Sequence, residues 1–349
     1  MTTFKIALYQ KAKTNLVYEQ AIHTEKLDNR NGYDPSFLGI KLSLPVLNSS
    51  QEQDVAEVLS NVGSNGSRIL DYTHFSIAFN KAKKLPFYTA VNIYGKTNVL
   101  GMVHDERGSD SWDKDDRIKK DQEDFQYGSK DYLKTGLAKG HMVRYYDPAW
   151  DTKEISKIAI GDTFHYTNCC PQIPYFNGVV WNYLEDYCIA RSIFQDNKVT
   201  LFAGPIFNKA KIINGLLTPM NFWKILVYEK EGKLSALGFI MSQEPYLVKL
   251  KKQKALTLEA MVKDIQPTLR KEDIERLFQK KELLAAQIKI SLIEEKTGIS
   301  FGLNEMDEFK DKHQLTARPL VTNASKNIKM HEFRQLMNTF EWSPFLAAL

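Results

Sequence analysis

"DTFHYTNCCPQIPYFNGVVWNYLEDY", residues 162–187, changes its texture half-way along. Up to Cys170 it has the aromatic and β-branched content of an extended strand, closed by a proline at 171. From Phe176 onward apolar residues fall at Val180, Trp181, Leu184, Cys188 and Ile189. Spacing by three and four puts such residues on one face of a helix. The stretch therefore predicts a strand, a turn and a helix. A second strand candidate, "GHMVRYY" (140–146), lies upstream, separated from the first by a loop with Pro148 and a short polar run of helical character. Two strands feeding one helix form the unit on which the reading of the fold turns.

Outward from that unit the chain is rich in strands. "RILDYTHFSIAFNKAKKLPFYTAVNIYG" (68–95) predicts a hairpin, with "THFSIAF" and "FYTAVNIYG" as strands around "NKAKKLP". Before it, "NGYDPSFLGIKLSLPVL" (31–47) reads as a turn and short extended pieces punctuated by Pro35 and Pro45. Residues 104–129 are densely charged and predict a long surface loop. Downstream, "KVTLFAGPIF" (198–207), "FWKILVYEK" (222–230) and "LSALGFIMSQ" (234–243) are strands, with "EGK" as the turn between the last two. After Pro245, "TLEAMVKDI" (257–265) and "KEDIERLFQKKELLAAQI" (271–288) predict charged amphipathic helices, and "ISLIEEKTGISF" (290–301) a further helix ending near Gly298. The expected fold is α+β, with a mostly antiparallel central sheet flanked by helices. An N-terminal arm (1–30), a main domain (31–310) that ends in the helices above and a C-terminal extension (311–349) complete the expected organisation.

Composition narrows the class without naming a function. The 349 residues are 43% hydrophobic and 26% charged, ample for a large soluble core. A formal charge of +5 suits an anionic partner but does not demand one. Three cysteines, with no CxxC pair and no Cys/His cluster at zinc spacing, exclude a disulfide framework and a zinc module. No apolar signal region opens the sequence and no stretch has the length of a membrane span, so a cytoplasmic protein with no membrane partner is expected, with export by another route as the alternative.

Four ordered blocks carry a resemblance: "YLKTGLAKGHMV" (132–143), the opening stretch, "LFAGPIF" (201–207) and "TPMNFWKILV" (218–227). Together they resemble the DNA/RNA non-specific endonuclease family, which includes secreted sugar-nonspecific nucleases and mitochondrial endonuclease G. The family's motifs are D-R-G-H, S/T-N-x-x-P-Q and F-N-x-x-x-W-x-x-L-E. The second stands here as Thr167-Asn168-Cys169-Cys170-Pro171-Gln172, and the third as Phe176-Asn177 through Trp181 to Leu184-Glu185. Matches run in order from about Tyr33 to Phe301. The resemblance implies the ββα-metal nuclease fold and a sequence-nonspecific, metal-dependent endonuclease acting on the DNA and RNA backbone. Mg²⁺ is the implied cofactor, with Mn²⁺ as an alternative, and a homodimer is implied as well. A nuclease loose in its own cytosol needs restraint, so an inhibitor or immunity partner is a further expectation.

The chemistry accounts for the residue types. Histidine, with a reference pKa of about 6.5, is largely neutral at neutral pH and can take a proton from water. By the resemblance His141 is that general base; otherwise it is a satisfied strand histidine. Mg²⁺ keeps several waters and takes one or two protein oxygens, which fits Asn177 as the direct ligand and Glu185, eight residues on, as the holder of the ion's waters. Asn168 is implied to line the site. Asn177 as a helix N-cap, Glu185 as a solvated charge and Asn168 as a turn residue are the plainer alternatives. Trp181 reads as core packing, and His165 as structural.

The chain also departs from the pattern. Ala138-Lys139 stands where the motif has Asp-Arg, so Lys139 keeps a charge but no guanidinium fork, and the carboxylate is lost. Asp110 stands where relatives carry a phosphate-facing arginine before a tryptophan; Arg107, Arg117 and Arg144 are candidates to replace it, Arg144 being preferred. These departures keep open a catalytically weak or inactive nucleic-acid-binding or interaction protein.

Overall fold

Strand after strand carries apolar side chains on both faces, and the architecture follows from that. The computed structural model describes residues 27–98, 111–118, 125–182, 184, 185, 188, 189, 192, 197–247 and 286–311. In chain order the strands are β1 (Leu70–Tyr72), β2 (Phe75–Asn80), β3 (Leu85–Tyr94), β4 (Ala138–His141), β5 (Cys169–Gln172), β6 (Lys198–Ile206), β7 (Lys211–Ile213), β8 (Leu216–Thr218), β9 (Asn221–Lys230), β10 (Lys233–Ser242) and β11 (Ala286–Ile288). Seven of them make one sheet in the order β1-β2-β3-β6-β9-β10-β11. Every neighbouring pair in it is antiparallel.

Side chains alternate across a strand, so a strand buried on both faces feeds two cores. On β9, Phe222, Leu226 and Tyr228 enter one core, while Trp223, Ile225 and Val227 enter the other. The second core is closed by Tyr33, Phe37, Leu38 and Leu42 and by Ile290 and Ile293 of the helix Ile290–Thr297. That helix ends where Gly298 takes a φ of 71°, a left-handed cap that glycine adopts without penalty. The first core is closed by β4, β5 and the helical run that follows β5, including Phe176, Trp181 and Leu184. The result is three layers with a ββα unit on one face of the sheet, the α+β, ββα-metal nuclease arrangement that the resemblance implies.

The hairpin β2–β3, strands β6, β9 and β10 and the turn at Glu231–Gly232 lie where the pattern predicts them. Elsewhere the structure differs, each time for a local reason. Residues 286–288, expected as the end of a helix, form β11 because the edge of β10 offers backbone partners from Gly238 to Ile240. The extended run 140–146 stops at His141, and the strand at 162–170 begins only at Cys169 after a 3-10 turn at Tyr166–Asn168. The polar run between them is a full helix, Lys153–Asp162, capped by the Thr152 hydroxyl accepting from the Ile155 N–H. Residues 27–30 of the expected arm are packed: Leu27 is buried and Arg30 pairs with Asp162 at 2.8 Å. The predicted helix 257–265, most of 271–288, Arg107, Asp110 and the tail from 312 lie outside the described residues.

The charged loop supplies the largest correction. Its segment 111–118 is inserted, not laid on the surface. The Tyr166 N–H donates to the Asp113 carbonyl at 2.9 Å, and the Asp113 N–H donates to that of Phe164 at 3.0 Å. Asp115 and Arg117 are buried together, with Arg117 Nη2 2.7 Å from Asp115 Oδ2. The Tyr72 hydroxyl donates to the same carboxylate and lies 2.6 Å from Thr167 Oγ1. A buried charge requires a partner, and the loop supplies both members of the pair. Arg117 is therefore engaged internally and is removed as a phosphate contact.

Burial alone would raise the Asp115 carboxyl, but the Arg117 charge and its hydrogen bonds outweigh burial and hold it below the usual carboxylate range. A depressed carboxylate adds stability that is present above its unfolded pKa, about 3.9, and is lost as pH falls through the lower folded value. Asp115→Asn should therefore lower unfolding free energy at pH 7 by about 3–5 kcal/mol, the cost of breaking a buried pair. Its stability should also fall less steeply than the parent's below about pH 4; denaturant unfolding at both pH values checks this.

Candidate active site

The site starts from a glycine. β4 and β5 pair with Ala138 opposite Gln172, Gly140 opposite Cys170 and His141 opposite Cys169. A Cβ on Gly140 would lie 2.1 Å from Gln172 Oε1 and 2.3 Å from its Cδ, so the buried glutamine amide occupies the space a side chain would need. Past β5 the chain turns into a helix whose residues Phe176–Trp181 take the π form. Such wide turns are rare and are frequent at functional sites. Asn177, Trp181 and Glu185 recur four residues apart and so share one side of this helix. Asn177 is half-buried and stands inside the helix, after residues 174 and 175, not at its cap.

Trp181 ties helix to hairpin: its indole N–H donates to the His141 carbonyl at 3.3 Å. The His141 ring is boxed by aromatics, 4.5 Å between centroids from Trp112 and 4.8 Å, perpendicular, from Phe164, with Tyr145 at 6.1 Å. Trp112 comes from the inserted loop segment. Lys139, two residues before His141 and on the same face of β4, holds its ammonium 5.5 Å from the Tyr166 ring centre and 5.9 Å from that of Trp112.

Glu185 lies between two cations. Its carboxylate is 3.5 Å from Lys224 Nζ and 4.0 Å from Arg144 Nε. Lys224 projects from β9 into the core beneath the hairpin and is 0% exposed. Its ammonium also lies 4.6 Å from the Trp181 ring centre and donates to the Met142 carbonyl at 3.4 Å.

Asn168 is spent on the backbone. Its amide N–H groups donate to the carbonyls of Val143 and Thr163, each at 2.9 Å, and its oxygen accepts from the Val143 N–H at 2.9 Å. It fixes the turn that follows His141 and does not present its amide to a ligand. His165 is buried with Nδ1 2.9 Å from the Asp162 carbonyl oxygen, a structural position as expected. Lys224 and Trp112 also line this region, and neither is among the candidate residues that the sequence offers. Lys224 leaves one trace: a lysine in the middle of the otherwise apolar run "FWKILVY". Trp112 is visible as the tryptophan of the charged loop, but its place against the His141 ring is not, because the composition of the segment reads as solvated.

Cys169 and Cys170 are no part of this chemistry. Burial pushes the Cys169 thiol up to about 12 and the Cys170 thiol well above its usual range, so neither forms a thiolate at neutral pH.

The donor set decides which ion the site could take. Among the described residues no three His, Cys, Asp or Glu side chains gather as a metal cage. One amide oxygen from Asn177, with a single carboxylate further along the same helix side, suits a hard, largely hydrated cation such as Mg²⁺ and not zinc.

Residues 55–308 match the family model described as DNA/RNA non-specific endonuclease. The uncharacterized protein y4fB of Sinorhizobium fredii is 34% identical over 235 residues, covering 63% of this chain and 33% of that protein. The mitochondrial Nuclease 1 of Schizosaccharomyces pombe is 30% identical over 186 residues, covering 48% of this chain and 54% of its own length. The chain thus spans between a third and about half of these curated relatives. A solved structure of an EndoG/EndoGI complex superposes with a TM-score of 0.48 at 16% identity, over 68% of this chain and 86% of that one.

The packing over Gly140 gives a direct test. Gly140→Ala should cost about 1–3 kcal/mol of stability, the usual range for forcing an added methyl into a filled space. Gln172→Ala in the same chain, which removes the clashing atoms, should recover part of that loss in denaturant unfolding.

Proposed function

The chain belongs to the DNA/RNA non-specific endonuclease family, and on that premise we propose that it hydrolyses phosphodiester bonds of DNA and RNA with no sequence preference. The observation that carries the reading is the Trp181 indole N–H on the His141 carbonyl. It docks the helix bearing Asn177 and Glu185 onto the strand bearing the only histidine of the ββα hairpin strands.

In this reading His141 is the general base. Its imidazole takes a proton from the attacking water, and the ring is held in place by Trp112 and Phe164 so that little reorientation is needed. Asn177 would hold a Mg²⁺ ion through its amide oxygen, with Glu185 orienting water around it. Such an ion, when bound, supplies Lewis-acid stabilisation of the phosphate and of the departing oxygen. Lys139 offers a positive charge on the face of β4 shared with His141. Arg144, beside Glu185, supplies the second cation for the phosphate. Contacts to the charged backbone carry no base information, which accounts for nonspecific cutting.

His141→Ala should lower cutting of plasmid DNA by about 10²–10⁴-fold, the usual worth of a positioned base, while its circular dichroism matches the parent. EDTA should stop the parent enzyme, and binding of uncut DNA by the alanine variant should weaken steeply with added salt. Undiminished cutting by His141→Ala would refute the assignment of the base. Salt-sensitive binding by a parent chain that never cuts would favour a nuclease fold that retains only binding.

A further inference from the structure

Lys224 has the properties of a part built for geometry. We propose that it is a positioning residue for the reaction proposed above, the tie that holds the helix of Asn177 and Glu185 in register with the hairpin of His141.

A lysine on an inward-facing strand position is expensive. Along β9 the neighbours on its face are Phe222 and Leu226, both wholly buried, and Lys224 stands between them with no exposure. An ammonium there must be compensated by its surroundings. It has two partners on two different elements: the Met142 carbonyl at 3.4 Å, one residue beyond the base strand, and the Glu185 carboxylate at 3.5 Å on the helix. Its third contact, the face of the Trp181 ring at 4.6 Å, is the indole whose N–H reaches the His141 carbonyl. One charge on the rigid sheet therefore touches the hairpin, the helix and the residue that joins them.

Stability alone does not explain it. Buried ion pairs can often be replaced by apolar residues of similar size at no net cost. What such a replacement cannot supply is direction. A methionine would fill the space and leave the Glu185 carboxylate without its fixed anchor on the sheet. Because Lys224 is fully buried it cannot touch nucleic acid, so its effect should fall on turnover and not on substrate binding. Because the tie runs from Met142 through Lys224 to Glu185, cutting either end should equal cutting both.

The test compares Lys224→Met, Glu185→Gln, their double variant and Ile293→Ala in the full chain. Ile293 is buried in the core on the opposite face of the sheet and serves as a control for lost stability. Lys224→Met should reduce turnover by about 10–100-fold, as loss of an outer partner commonly does, with KM for DNA little changed. In the Glu185→Gln background the same change should add less than about threefold. Independently of activity, the indole N–H of Trp181, assigned by Trp181→Phe, should exchange with solvent faster in Lys224→Met than in Ile293→Ala when both are compared at equal global stability. If Lys224→Met fails to fold, the double variant against Glu185→Gln decides the same coupling. Turnover and exchange no different from the Ile293→Ala control, or fully additive losses, would overturn the tie. A parent chain that does not cut refutes the proposed function instead, and the exchange measurement still decides the role of Lys224.

Discussion

Trp181 donating its indole hydrogen to the carbonyl of His141 is the bond on which the site depends. A hairpin of two four-residue strands is too short to hold a precise geometry by itself. It gains one by packing on the seven-stranded sheet beside a helix that sets Phe176 and Trp181 against Phe222 of β9, and the indole joins that helix to the hairpin. The π turn at Phe176–Trp181 belongs to the same constraint. It carries Asn177 and Trp181 in one widened segment, so the position of one fixes that of the other.

Around this bond three buried carboxylates are each met by a cation. Asp162 receives Arg30 and the Thr73 hydroxyl, Asp115 receives Arg117 and Tyr72, and Glu185 receives Lys224 and Arg144. Each pairing joins segments distant in sequence or roots a loop in the core. The first two anchor the chain around the site. The third lies between the hairpin and the helix of Asn177, within the proposed site. The inserted loop shows how the two kinds connect: Asp115 and Arg117 seat the segment, and Trp112, three residues before Asp115, then closes over the His141 ring.

Much of the fold was legible because periodicity reports burial. The apolar runs of β6, β9 and β10 and the hairpin around Lys81–Lys84 read correctly, since two buried faces leave an unbroken hydrophobic signature. Residues 286–288 did not, because Ala, Gln and Ile next to a helical pattern carry no mark of the β10 edge that captures them. Nor did segment 111–118, where Asp115 and Arg117 each look solvated and only their mutual contact makes burial tolerable. Of the candidate site, His141, Asn177 and Glu185 come from the family motifs, and the structure brings the elements that carry them together. Asn168 could be named but its surroundings could not, since all of its amide hydrogen bonds go to backbone groups of other segments. Lys224 could be found only by asking why a strand interior should hold an ammonium.

The departure at Ala138 takes on a definite meaning in this frame. Directly opposed residues of an antiparallel pair share a face, so Ala138 lies on the side of Gln172 and Gly140, while Lys139 and His141 lie on the other. The Gln172 amide is wholly buried, and neither its oxygen nor its nitrogen has a hydrogen-bond partner among the described residues. A carboxylate at 138, as the family motif has it, would stand beside that amide and could accept from it. With alanine there, that acceptor is missing, and the face that carries Lys139 and His141 is unchanged. An unsatisfied buried amide costs about 1–3 kcal/mol, a charge against stability and stiffness of β4. The loss at 138 thus falls on the face of β4 opposite to that of Lys139 and His141.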